Sequence, residues 1–154
     1  MTFKAKDNHN NPIIIGRNDD DYHGVRAVIG GSNSHLLFIT YSKNNISVFD
    51  FNIFQFIKDD TLPTNDIIRS HCFVSKSENG QEQEMMKINQ DKIKQNCEML
   101  LFKYNTGLSI DYDEDSNTFQ FHQLPVCDDV APFCRYAYVC VNDIILFFGR
   151  YDWR

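Results

Sequence analysis

Apolar and aromatic residues fall in short bursts along this chain, at residues 25–29, 36–40, 46–50, 53–57, 71–75, 99–104, 108–112, 118–122, 136–141 and 144–148. Each burst is rich in Phe, Tyr, Val and Ile and is bounded by Asn, Asp, Ser or Gly, the residues that favour turns. Branched and aromatic side chains suit a pleated, half-buried surface. The three-and-four spacing that a helix needs is nearly absent. The pattern predicts an all-β chain.

The bursts also recur in order. Leu36-Leu37-Phe38 returns as Leu100-Leu101-Phe102. Phe54-Gln55-Phe56 returns as Phe119-Gln120-Phe121, and each is followed by a Leu-Pro pair, at Leu62-Pro63 and Leu124-Pro125. A polar connector then leads to an Arg that opens an apolar run: Arg69 before His71-Cys72-Phe73-Val74, Arg135 before residues 136–141, and Arg26 before Ala27-Val28-Ile29 as an earlier copy. The interval Arg69–Arg135 exceeds Arg26–Arg69, and removing the polar stretch 76–98 makes the two equal.

A repeat of roughly 40–50 residues with four strands marks a propeller blade, because one four-stranded sheet cannot bury both of its faces and must stack on its neighbours. The division predicted is an N-terminal segment over 1–25 that carries the tail of a preceding blade, blade A over 26–68, blade B over 69–134 with an insertion at 76–98, and the first half of blade C over 135–154. Ile13-Ile14-Ile15-Gly16-Arg17 echoes Leu146-Phe147-Phe148-Gly149-Arg150.

These residues resemble the kelch-repeat family of β-propellers. The best match starts at Arg135, continues through the aromatic strand Tyr136-Ala137-Tyr138-Val139-Cys140-Val141 and the tight turn Asn142-Asp143, and ends with Ile144-Ile145-Leu146-Phe147-Phe148 and Gly149. Asn suits such a turn because it tolerates the positive φ that matches the twist of the two strands. Tyr112-Asp113 with the later Phe119 is similar to the family's Tyr-Asp and following aromatic, and Phe49-Asp50 with Phe54 and Phe56 is the counterpart in blade A. The chain departs from the family where a diglycine should follow the second strand. Thr40-Tyr41 and Lys103-Tyr104 stand there, Gly149-Arg150 matches by half, and Gly30-Gly31 follows the first strand instead. The family's Trp is Phe here. A diverged WD-type propeller fits the same repeat. The resemblance implies about two and a half blades of a partial kelch-type propeller, acting as a non-catalytic protein-interaction module.

Composition narrows the function. Lys and Arg total 15 against 21 Asp and Glu, a net charge of −6, so no concentrated cationic groove for nucleic acid is expected. No apolar run approaches the length of a membrane span, so no membrane partner is expected. The opening residues lack the apolar core of a secretory signal, and the five Cys show no CxxC spacing; both point to reduced thiols and a cytoplasmic location.

Candidate chemistry is sparse. No GxSxG, P-loop or GxGxxG occurs, and the five His and five Cys lack zinc-type spacing, so neither a cofactor nor a metal is expected. Asp111-Tyr112-Asp113-Glu114-Asp115 opens like a calcium loop, but Ser116 stands where the loop needs Gly and His122 where it needs a bidentate Glu. A polar hairpin turn is predicted there instead. Within the insertion, residues 81–98 contain good helix formers with Met86, Ile93 and Cys97 near one face, which predicts a mobile loop or a marginal helix.

In an antiparallel four-stranded blade, the loops joining strands two to three and four to one emerge at the same end. That end gathers residues 41–45, 59–68, 103–107 and 126–134. Its exposed aromatics would be Tyr41, Tyr104 and Phe133, set among Asp59, Asp60, Asp66, Asp128 and Asp129. Aromatic anchors with acids suit a basic protein segment. Two alternatives stay open: a fragment of an enzymatic propeller of sugar-active or oxidase type, and a truncated relic without independent activity. Unclosed blades also predict self-association, because apolar faces and strand edges would meet water.

Overall fold

The structure is a computed structural model and describes residues 3–6, 12–76, 96–127, 137–141 and 144–148. Among these residues there is no helix. Strands β1 (Phe3–Lys6) and β2 (Pro12–Ile15) form a hairpin. Strands β3 (Arg26–Gly30), β4 (Leu36–Tyr41), β5 (Asn45–Asp50) and β6 (Gln55–Thr61) form sheet one in sequential order. Strands β7 (Cys72–Ser75), β8 (Asn96–Lys103), β9 (Thr106–Asp113) and β10 (Thr118–Leu124) form sheet two in the same way. Strands β11 (Ala137–Val141) and β12 (Ile144–Phe148) form a second hairpin. Every pairing is antiparallel.

Alternation along a strand gives each sheet two faces. Leu36 and Phe38 of β4 point to one face, here called the front, with Ile46 and Val48 of β5. Ile39, Tyr41 and Phe49 point to the back, where Ile15 and Tyr22 cover them. The front of sheet one packs on the face of sheet two that carries Phe73, Met99, Leu101, Leu108, Ile110 and Tyr112. The other face of sheet two, with Cys72, Val74, Leu100 and Phe102, packs on Tyr138, Ile145 and Phe147 of the β11–β12 hairpin. The repeated Leu-Leu-Phe triplets therefore behave alike: Leu36, Phe38, Leu100 and Phe102 all point forward, and Leu37 and Leu101 both point back. Successive sheets stack front to back. Rings seal the main seam, with Phe38 edge-on to Tyr112 at 5.2 Å and to Phe119 at 6.4 Å between centroids.

The structure revises several expectations. Phe-Gln-Phe is not in equivalent register in the two sheets. Residues 51–54 and 114–117 are turns of equal length, so Phe56 occupies the place of Phe119: it pairs with Phe49 as Phe119 pairs with Tyr112. The paired rings lie 5.2 Å and 4.9 Å apart. Phe54 instead matches Asn117, and both are left-handed, at φ 53° and 55°. Strand β6 thus starts later than the apolar burst and runs through Lys58, Asp59 and Asp60, since ladder pairing to β5 decides its extent rather than hydrophobicity.

Arg26 and Arg69 are not equivalent either. Arg26 opens β3, whereas Ser70 and His71 separate Arg69 from β7. Of the insertion, residues 77–95 lie outside the described residues, as do the Asn142-Asp143 turn and Arg135. Its last residues, expected in a loop or helix, are strand: Cys97 pairs with Tyr112 and Glu98 with Asp111. Glu98 also accepts the Lys76 ammonium at 2.9 Å, tying the two ends of the insertion together.

Phe54 is a stability test in itself. A bulky side chain at positive φ is strained, and this ring is half exposed at 50%. Phe54→Asn is expected to stabilise the chain by about 0.5–1 kcal/mol, read from the urea midpoint at constant m. A lowered midpoint would mean that the ring contributes packing that outweighs the backbone cost.

Candidate functional site

The end of the molecule where the β4–β5 and β8–β9 turns meet the connector 62–71 is built by side-chain hydrogen bonds across the seam. Leu62 and Ile68 are buried in the core and pin the connector at two points. Asn44, left-handed at φ 60°, clamps it from sheet one. Its carbonyl accepts the Leu62 N–H at 2.7 Å, its amide donates to the Thr64 carbonyl at 2.8 Å, and its Oδ1 accepts the Ile68 N–H at 3.1 Å. Gln123 of β10 donates to the Pro63 carbonyl at 3.1 Å from sheet two.

Between these clamps Thr64, Asp66 and Thr106 form a closed hydrogen-bond ring. The Asp66 N–H donates to Thr64 Oγ1 at 3.1 Å, and Thr106 Oγ1 donates to the Asp66 carboxylate at 2.7 Å. The Thr64 hydroxyl proton is then the one that joins the two threonine oxygens at 2.7 Å. Each hydroxyl gives once and accepts once, which fixes both rotamers. The ring floors an open polar notch of about 330 Å³ lined by residues 63–66, Asn105, Thr106 and Gln123. One carboxylate oxygen of Asp66 serves the ring.

The residues expected at this end divide into four groups. Asp66 is in the notch, and Tyr104, beside Asn105, is 41% exposed with the Lys103 ammonium 4.2 Å from its ring centroid. Asp59 and Asp60 lie on β6 rather than in a loop. Asp59 is neutralised by Arg17 at 2.7 Å and accepts the Ser47 hydroxyl at 2.6 Å. Burial alone would raise its carboxyl, but these two hydrogen bonds outweigh it and hold the group below its ordinary value. Asp60 accepts the Thr61 N–H at 2.8 Å.

Tyr41 requires a correction. It is only 3% exposed, because β4 continues through it to pair with Asn45 and turns its ring to the back face against Tyr22, 4.9 Å away. Its hydroxyl is joined to Ser47 Oγ at 3.0 Å, and burial raises its pKa. Tyr41 is a scaffold residue. Asp128, Asp129 and Phe133 lie outside the described residues.

Sequence reasoning missed Asn44, Thr64, Thr106 and Gln123. Polar residues in a connector read as solvated, and the separations over which these meet carry no local signal. The Lys43-Asn44 pair, both at positive φ, was the one hint, as Asn is a residue that visits that region readily.

The opposite end is structural by the same reading. Glu114 accepts the Ser32 N–H at 2.8 Å, and Cys97 Sγ accepts the Gly31 N–H at 3.0 Å. Asp113 accepts the N–H groups of Asp115 and Ser116, so the acid-rich 111–117 run builds its own turn. Among the described residues no group of three or more His, Cys, Asp or Glu is placed to hold a metal ion. Inside the seam, fully buried His71 meets Thr40 Oγ1 through Nε2 at 2.6 Å, and Nδ1 has no hydrogen-bond partner among the described residues. Burial first, then Arg26 and Lys103, push its pKa down to about 3, so the ring is neutral. Among the described residues no helix is long and apolar enough to cross a membrane. No protein-family model, curated protein sequence or solved structure matches this chain.

Proposed function

We propose that the chain is a kelch-type propeller segment that serves as a non-catalytic protein-interaction module, receiving a polar or basic segment of a partner protein at the notch between the connector and sheet two. The observation that carries this reading is the notch itself: a hydrogen-bonded floor, an acid held in place by two hydroxyls, amide groups on its wall and, next to the lining residue Asn105, the exposed ring of Tyr104. Asn65, Asn105 and Gln123 offer donors and acceptors for an extended backbone, and Asp66 offers charge to a Lys or Arg. Tyr104 supplies an amphipathic anchor of the kind that dominates binding energy. The stacking of like sheets supports the propeller part of the reading, since that fold is the repeat of one sheet upon the next.

The test is a screen of arrayed peptides followed by titration of the best binder. Tyr104→Ala and Asp66→Asn are each expected to weaken it by roughly tenfold or more, with the Asp66 effect largest for peptides bearing Lys or Arg. Binding that ignores both substitutions would move the site elsewhere.

A further inference from the structure

Among the described residues the four layers hold two, four, four and two strands, and the two short layers are complementary halves. In each complete sheet the strand order follows the chain, and the fourth strand leads to the first of the next sheet. By that rule β11 and β12 hold the first and second places of a sheet. The β1–β2 hairpin precedes β3 as β5–β6 precedes β7, and Ile15 at the end of β2 packs with Phe49 of β5 and Phe56 of β6, so it holds the third and fourth. Among the described residues, β1 and β12 each pair on one side only.

The uncovered apolar surface falls where the complementary half would sit. Val139, Val141, Ile144, Leu146 and Phe148 form the front of β11–β12, and all are exposed, Phe148 at 52%. Their counterparts on sheet one, Leu36 and Phe38, are buried by sheet two. On the back of sheet one, Ile15 of β2 joins the core of the outer strands, while Ile29 of β3 is 57% exposed. Its counterpart on sheet two, Phe73, is 2% exposed beneath sheet one. The seam between sheets one and two thus shows what should lie between the front of β11–β12 and the back of β3–β4, and the described residues of a single copy leave both surfaces open.

We propose that two copies of the chain join head to tail: the edge of β12 in one pairs antiparallel with the edge of β1 in the other, making a composite sheet in the order β11–β12–β1–β2. The front of that sheet then lies on the back of the second copy's sheet one, burying Leu146 and Phe148 against Ile29. Strand addition satisfies the two open rows of backbone groups, and the seam repeats packing already present within the chain. The copy number rests on the propeller reading above. The described strands of each copy amount to three sheets, and a closed ring of about four to eight blades built from those strands alone takes two copies.

The test is the mass in solution of the 154-residue chain, by light scattering after size exclusion, for the unaltered protein and for Leu146→Asp and Ile29→Asp. Both positions are exposed in a single copy, so neither change should disturb its fold, which circular dichroism verifies. Twice the chain mass is expected, with each substitution weakening self-association by roughly a hundredfold or more, because it buries an unpaired carboxylate. A monomer, open-ended growth, or a dimer indifferent to both substitutions overturns the proposal. A monomer in which sheets one and two still stack front to back rejects the pairing alone and spares the reading of the repeat.

Discussion

Lowering the pH from 6.5 to 4 is expected to remove about 3 kcal/mol of stability through His71 alone, at roughly 1.4 kcal/mol per pH unit. The sign follows from where the proton binds. In the folded chain burial holds the imidazole neutral down to about pH 3, whereas in the unfolded chain it protonates below its ordinary value of 6.5. The unfolded state therefore takes up more protons as the pH falls, and stability falls with it. The group stays neutral because His71 is sealed in the seam with Thr40 as its hydrogen-bond partner and with Arg26 and Lys103 opposing any further positive charge. Thr40 can donate to the Arg26 carbonyl at 3.3 Å while accepting from Nε2–H, which leaves only a lone pair at Nδ1, the less costly group to bury. Urea unfolding at a series of pH values should show the slope, and His71→Gln should abolish it between pH 6.5 and 4 whatever its own stability. Equal slopes in the two proteins would mean that the ring is solvated or finds an acid.

Phe38→Ala is expected to cost about 3–5 kcal/mol, enough to unfold a chain of ordinary stability. Phe38 is fully buried at the front of sheet one, with its ring edge-on to Tyr112 and Phe119 of sheet two. Gly30 lies so close beneath it that a Cβ there would meet the ring at 3.0 Å, so the site is filled from both sides. Truncation leaves a cavity that two stiff sheets cannot collapse to fill. Ile67→Ala, by contrast, removes a side chain that is mostly in water and should cost within about 0.5 kcal/mol. Comparable losses for the two would show that the seam is not the core.

The sequence displayed the repeated element more clearly than its register. Leu36-Leu37-Phe38 and Leu100-Leu101-Phe102 were legible as copies because alternation forces identical triplets to send identical residues to identical faces. Phe-Gln-Phe misled, because a turn of fixed length sets which Phe opens the pairing, and Phe54 spends its ring on a left-handed turn. Arg69 misled in the same way, as the connector before β7 is irregular and its count is absorbed by Ser70 and His71. Tyr41 looked like a loop aromatic because its neighbours Ser42, Lys43 and Asn44 are polar. The ladder carries β4 one residue further and buries it. Of the residues named from the sequence, Asp66 lines the notch and Tyr104 stands next to the lining residue Asn105. The notch floor depends on Thr64 of the connector meeting Thr106 of sheet two, a contact fixed by the path of the connector over the stacked sheets and by nothing local. The clamp by Asn44 has the same origin.

Stacking direction is the claim on which the rest depends, and nuclear Overhauser contacts among the aromatic and methyl protons test it most directly. Front-to-back order requires Leu36 and Phe38 to lie near Leu101 and Tyr112, and Leu100 and Phe102 near Tyr138 and Phe147. Contacts joining Leu36 or Phe38 to Leu100 or Phe102 would place the two fronts together as in a two-layer sandwich, and would contradict the account.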